Sequence, residues 1–217
     1  MIRQELDDQR RYWNSELEDF DSIYSGKRST FGRWIDKTFR WDMYKRFEYT
    51  FEHSEPIEGK TILDVGCGTG RFTIEYARRK AARSVGIDIS EEMVRVCRER
   101  AQIEGFDNVC EFLQSDLLDY NPDSRFDICI GIGLFDYIED AYPVIEKMAK
   151  VASDRAIMSF PRKGTLRAAV RKIRLGLKGC PVYFFSEDQI RDYLNRAGFK
   201  SIEMELIGQL YCVTAKL

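Results

Sequence analysis

The chain has 217 residues, enough for one domain with a full hydrophobic core and too few for two independent ones. Its 34 Lys and Arg balance 36 Asp and Glu to a formal net charge of -2, so no overall field draws nucleic acid, and a dedicated DNA or RNA binder is disfavoured. The cysteines at 67, 97, 110, 129, 180 and 212 form no CxxC pair, and the only histidine is His53, so no metal site is expected. Several of these cysteines sit in apolar runs such as Ile128-Cys129-Ile130, where the residue acts as a small buried hydrophobe. Reduced thiols, an N-terminus without an apolar leader and no stretch of about 20 apolar residues point to a cytoplasmic protein.

Residues 1–55 are aromatic-rich and hold all three tryptophans, Trp13, Trp34 and Trp41. Their spacing predicts two or three helices with a break at Ser25-Gly26, forming an N-terminal cap on the same domain. Over residues 56–217 short apolar runs alternate with helical patterns. Strands are expected at Thr61–Val65, Ser84–Ile87, Val109–Leu113, Asp127–Ile132, Ala156–Phe160, Ser201–Ile207 and Leu210–Ala215. Helices are expected at Arg71–Lys80, Glu91–Glu104, Ala141–Ala152 and Glu187–Ala197, with Ser90 and Ser186 as N-caps and Gly198 just past a helix end. This order implies an α/β fold: a Rossmann-like, doubly wound, mostly parallel sheet of seven strands. Only Gly208-Gln209 separates the last two strands, which predicts a terminal antiparallel hairpin.

The first strand runs into the segment Asp64-Val65-Gly66-Cys67-Gly68-Thr69-Gly70 at the head of a helix, the place where open α/β sheets bind ligands. A dinucleotide fingerprint is GxGxxG, but Arg71 stands where its third glycine belongs. A NAD-type oxidoreductase is therefore the poorer fit. Asp64 adds a carboxylate at the strand end, which suits a cationic amino-acid group better than a phosphate.

An acid followed by GxGxG resembles the first motif of the class I S-adenosylmethionine-dependent methyltransferases, and the resemblance runs from about Lys60 to Phe160. It implies S-adenosyl-L-methionine as cofactor, with Asp64, Gly66, Cys67, Gly68 and Gly70 around its methionine part. Val85-Gly86-Ile87-Asp88 is a second strand ending in an acid, where Asp88 would accept the ribose hydroxyls, with Ile89 and Met93 flanking the adenine. Asp116 matches the family residue that receives the adenine amino group, and Leu117 the neighbour packed on the ring. The strand ending at Gly131 corresponds to the backbone facing the methionine moiety.

Methyl transfer from a sulfonium needs alignment and exclusion of water more than it needs a base. Many relatives carry a His shortly after the fourth strand; here the stretch is Leu134-Phe135-Asp136-Tyr137-Ile138, with Tyr137 in the His position. Asp136 and Tyr137 are left to orient an acceptor or take its proton. Without a strong base, a carboxylate or a neutral amine suits best, so the expected reaction is transfer to an O or N atom of a small molecule. A weaker resemblance, over Tyr12-Trp13-Asn14, Phe20 to Tyr24, Met158-Ser159-Phe160-Pro161 and Tyr183 to Ile190, points to the magnesium-protoporphyrin methyltransferase branch, which esterifies a porphyrin propionate. Tyr24 would match that branch's N-terminal active-site tyrosine, while Tyr137 departs from its histidine; an unspecified small metabolite is accordingly preferred over a porphyrin. A noncatalytic cofactor-binding partner protein is the alternative that the missing histidine motivates. Finally, Arg162 to Lys178 carries seven bases and no acids, in an insertion at about 162–180. An amphipathic helix there would be a solvated face, a binder of anionic substrate or a contact with an acidic membrane surface. Oligomeric state is left open.

Overall fold

The computed structural model describes residues 32–164 and 181–217, with side chains from residue 41 onward. Tyr24, the Ser25-Gly26 break and most of the basic insertion lie outside the described residues. Helix α1 (Gly32–Glu52) leads into β1 (Thr61–Val65), α2 (Arg71–Arg78), β2 (Arg83–Asp88), α3 (Glu91–Glu104), β3 (Cys110–Gln114) and β4 (Phe126–Gly131). A short 3-10 turn (Phe135–Tyr137), α4 (Tyr142–Val151), β5 (Ala152–Pro161), α5 (Glu187–Arg196), β6 (Ser201–Ile207) and β7 (Leu210–Lys216) complete the order.

The strands form one seven-stranded sheet in the order β3-β2-β1-β4-β5-β7-β6. The first five are parallel, and β7 runs antiparallel to both β5 and β6. The chain winds outward from β1 to β3, then returns to place β4 on the other side of β1. That reversal opens a crevice at the carboxyl ends of β1 and β4.

Alternation along the strands gives the sheet two apolar faces. Ile62, Ile128, Ile130 and Ile157 pack with Tyr49, Phe51, Phe72 and Tyr76, covered by α1 and α2. Leu63, Val65, Val85 and Ile87 share the opposite cluster with Val144, Ile145, Met148, Ile190 and Leu194 of α4 and α5. The caps follow the sequence: Ser90 accepts from the Met93 amide, Glu91 and Glu92 offset the dipole in the first turn, and Gly105 closes α3 in the left-handed region. Ser186 caps α5 in the same way.

One boundary differs appreciably. β5 begins at Ala152, directly after α4, four residues before the expected start. Ser153, Asp154 and Arg155 hide this entry because their side chains are polar. The strand is nevertheless paired there, with an irregular register between Phe126 and Ile128 of β4.

Polar contacts fasten α1 to β7 and to α2 across a mainly apolar interface. The Tyr49 hydroxyl lies 3.0 Å from Thr214 Oγ1 of β7, and the Ser54 hydroxyl just past the helix meets the Tyr76 hydroxyl at 2.6 Å. Tyr49→Phe leaves the buried Thr214 hydroxyl without this partner and is expected to cost about 1–2 kcal/mol in urea unfolding. Adding Thr214→Val should cost little more, because the orphaned group goes with it.

Candidate active site

The loop after β1 reverses the chain with three glycines in the left-handed region: Gly66 (φ 68°), Gly68 (φ 54°) and Gly70 (φ 74°). Residues with a Cβ are strained there, which is why glycine recurs at every second position. The loop is tied to the end of β2. Gly66 and Cys67 both donate to the Ile87 carbonyl, at 2.8 and 3.1 Å, and the Gly68 amide donates to Asp88 Oδ2 at 2.9 Å. The other Asp88 oxygen accepts from the Ser90 amide at 2.9 Å. A Cβ on Gly86 would stand 2.8 Å from Phe112 and 2.9 Å from Cys67 Sγ, so the missing side chain in β2 is what lets the loop lie so close.

Helix α3 holds the outside of the loop. The Cys97 thiol donates to the Gly68 carbonyl at 3.0 Å, and Arg100 Nη1 donates to the Thr69 carbonyl at 3.0 Å. Neither residue is a candidate from sequence reasoning. Both lie on a helix whose pattern reads only as amphipathic, and no spacing relates them to the loop.

Asp64 lies beneath the loop with only 2% of its surface exposed. Its carboxylate accepts from the Thr73 hydroxyl of α2 at 2.7 Å. Burial pushes the group up from the ordinary 3.8 to about 7, against the hydrogen bonds from Thr73, and the neighbouring Asp88 adds to the rise. Asp88 is also raised, first by burial, with the backbone amides of Ser90, Gly68 and Ile89 opposing. The crevice therefore holds two acids whose ionisation costs free energy until a cation or further donors arrive.

The remaining predicted residues gather along the same carboxyl edge. Asp116 follows β3 and accepts from the Leu118 amide at 3.0 Å, capping its own turn. Ile89 is half-buried after Asp88. Met93 (2% exposed) and Leu117 (3% exposed) lie largely beneath the surface, and Leu117 belongs to the main core. Gly131 ends β4, with Met148, Phe135 and Leu134 within 3.3 to 3.5 Å of where its Cβ would be. Asp136 is buried in the 3-10 turn and Tyr137 is half-buried beside it; the Asp136 carbonyl accepts from the Tyr183 amide at 2.9 Å. The lone histidine is elsewhere: His53, at the end of α1, faces the Tyr49 carbonyl and Glu203 of the outer strand β6.

A family model described as a methyltransferase domain matches residues 57–198. The chain belongs to the methyltransferase domain family, in its class I, S-adenosylmethionine-dependent division. The magnesium-protoporphyrin O-methyltransferase of Synechocystis sp. is 32% identical over 149 residues, which are 66% of this chain and 64% of that protein. The ajmaline N-methyltransferase of Rauvolfia serpentina is 32% identical over 98 residues, 45% of this chain and 34% of the relative. The chain thus spans less than two thirds of either curated relative. Among solved structures, the magnesium protoporphyrin IX methyltransferase from Synechocystis PCC 6803 with bound S-adenosylhomocysteine superposes with a TM-score of 0.77 at 26% identity, over 95% of this chain and 97% of that one.

The methyltransferase fold sets a stability cost at Asp64 that can be measured. Because its folded value is above its unfolded one, the stability tied to the protonated form is complete below about pH 4 and is lost as pH rises to about 7. Asp64→Asn keeps the shape and can still accept from Thr73. It is expected to be more stable than the parent above pH 7, by at most about 4 kcal/mol, with the gap closing toward pH 4; urea unfolding across that range checks it.

Proposed function

We propose that this chain transfers the methyl group of S-adenosylmethionine to an oxygen or nitrogen atom of a small molecule, with a carboxylate oxygen favoured. The observation that carries this reading is the buried Asp64 carboxylate beneath a loop of three left-handed glycines. A ligand bearing an ammonium and a sulfonium supplies positive charge beside the two raised acids, and the glycine backbone admits its methionine part closely. When bound, the cofactor supplies a methyl group on sulfur that a nucleophile displaces in line.

In this reading Asp88 takes the ribose hydroxyls on the lone pairs that the Gly68 and Ser90 amides leave free, and Asp116 takes the adenine amino group. Ile89 and Met93 give the adenine an apolar wall, with Leu117 supporting it from the core. Gly66, Cys67, Gly68, Gly70 and Gly131 present backbone rather than side chains. Asp136 and Tyr137, at the end of β4, orient the acceptor together with Tyr24 of the N-terminal segment. An ionised carboxylate has no proton to lose, so these groups need only position it.

A more specific acceptor, a magnesium-porphyrin propionate, is favoured by the similarity to the Synechocystis enzyme over nearly the whole length of both structures. Tyr137 in the histidine position is the departure that keeps it second. Incubation with magnesium protoporphyrin and cofactor, read by chromatography for a monomethyl ester, separates the two readings.

Two binding measurements test the cofactor site. Asp88→Ala is expected to weaken S-adenosylhomocysteine binding by about 1.5–3 kcal/mol in calorimetry; unchanged affinity would remove Asp88 from the site. A bound cation favours ionised Asp64, so affinity should rise as pH goes from 6 to about 7 and level off above it, with protons released on binding below pH 7. Asp64→Asn should flatten that profile.

A further inference from the structure

The one histidine, which the crevice does not use, stands beside two acids. His53, directly after α1, places Nε2 3.3 Å from Glu203 Oε1 of β6. Glu205, two residues on, shares that face of the strand, and one donor atom from each of the three residues lies within 4.8 Å of the others. The ring is held in place. It stacks on Tyr49 with centroids 3.8 Å apart and planes 22° apart, only 18% of the side chain is exposed, and Arg155 Nη1 donates to the His53 carbonyl at 2.9 Å. His53 Nδ1 lies 2.9 Å from the Tyr49 carbonyl. A carbonyl only accepts, so Nδ1 carries the proton, and the neutral ring turns the Nε2 lone pair toward the carboxylates. Metal-ligating histidines are oriented in this way, with the other ring nitrogen fixed by a backbone carbonyl or a carboxylate.

Distances separate a metal ligand from an ion pair. A protonated imidazole closing on a carboxylate makes a contact of about 2.7–2.9 Å, shorter than the 3.3 Å found. Donor atoms about 2.0–2.2 Å from a tetrahedral zinc ion stand roughly 3.3–3.6 Å apart, a spacing that His53 and Glu203 already have. Glu205 is exposed, so a rotation of its side chain brings its oxygen to the same spacing. We propose that His53, Glu203 and Glu205 form a binding site for a zinc-class divalent cation, which clasps the end of α1 to the outer strand β6. One imidazole nitrogen with two carboxylate oxygens suits zinc better than magnesium, which takes oxygen ligands in octahedral geometry. Water completes the coordination on the exposed side. His53 and Glu203 are 150 residues apart, so the short cysteine and histidine spacings that signal zinc in a sequence cannot show this site. β4, β5 and β7 stand between β6 and β1, which keeps the cation apart from the glycine loop.

The test titrates the full chain, stripped with a chelator, with zinc chloride and separately with magnesium chloride in calorimetry. The parent is expected to bind zinc in the micromolar range and magnesium at least about tenfold more weakly. His53→Gln, Glu203→Gln and Glu205→Gln should each weaken zinc binding by about tenfold or more. Zinc at about ten times its Kd should raise the Tm of the parent by about 3 °C or more and leave that of His53→Gln unchanged. A parent that binds no zinc overturns the proposal and leaves His53 and Glu203 as an ion pair. Zinc affinity undiminished in all three variants also overturns it, giving the ion to other groups such as the thiols. Equal affinity for magnesium overturns the choice of a zinc-class ion. Glu203→Gln and Glu205→Gln alter exposed side chains only, so they carry the test should the His53 variant unfold.

Discussion

Burial of the Asp64 carboxylate at the end of the central strand is the constraint around which the rest of the crevice is built. A carboxyl group placed under backbone, away from water, must be hydrogen-bonded or neutral. Here one hydrogen bond comes from Thr73 at 2.7 Å, and the raised value of about 7 shows that this alone does not compensate. The glycines above it, the amides fixed by Ile87 and Asp88 and the thiol of Cys97 together keep the loop low enough to exclude water from the acid. Asp64 and Asp88 are thus two acids held back from ionising, a state that a nearby cation or further donors would reverse.

The order of the strands turns that local arrangement into a two-sided site. β1 and β4 are adjacent in the sheet but distant in sequence, so their carboxyl ends part where the chain changes direction. On one side stand Asp64, the glycine loop and Asp88. On the other stand Gly133, Ser159 and the hairpin, overhung by α1. The helix is held there by Tyr49 against Thr214 and by Arg155, whose Nη1 donates to the His53 carbonyl at 2.9 Å.

Much of this architecture can be read from sequence, because each signal is local. β1 and the bounds of α3 coincide with the apolar periods and caps of Thr61–Val65 and Glu91–Glu104. The spacing of glycines at 66, 68 and 70 anticipates their positive φ angles. What escapes is set by tertiary contact. The polar opening of β5 becomes strand only through pairing with β4. Cys97 and Arg100 reach the loop from a helix some 30 residues away. Asp64 is legible as an acid at a strand end, but its depth and its hold on Thr73 depend on how α2 folds back over the sheet.

Consider finally how α1 is fastened. Polar anchors lie in its last turns and just beyond, at Tyr49, His53 and Ser54, while Asp42 packs against Gly208 of the β6–β7 turn about two turns earlier. The end of the helix that leads into β1 is thereby fixed to β7 and to α2. Pinned at that end, the helix crosses the sheet from a fixed pivot, and the chain enters the central strand, with Asp64 at its tip, from a set position.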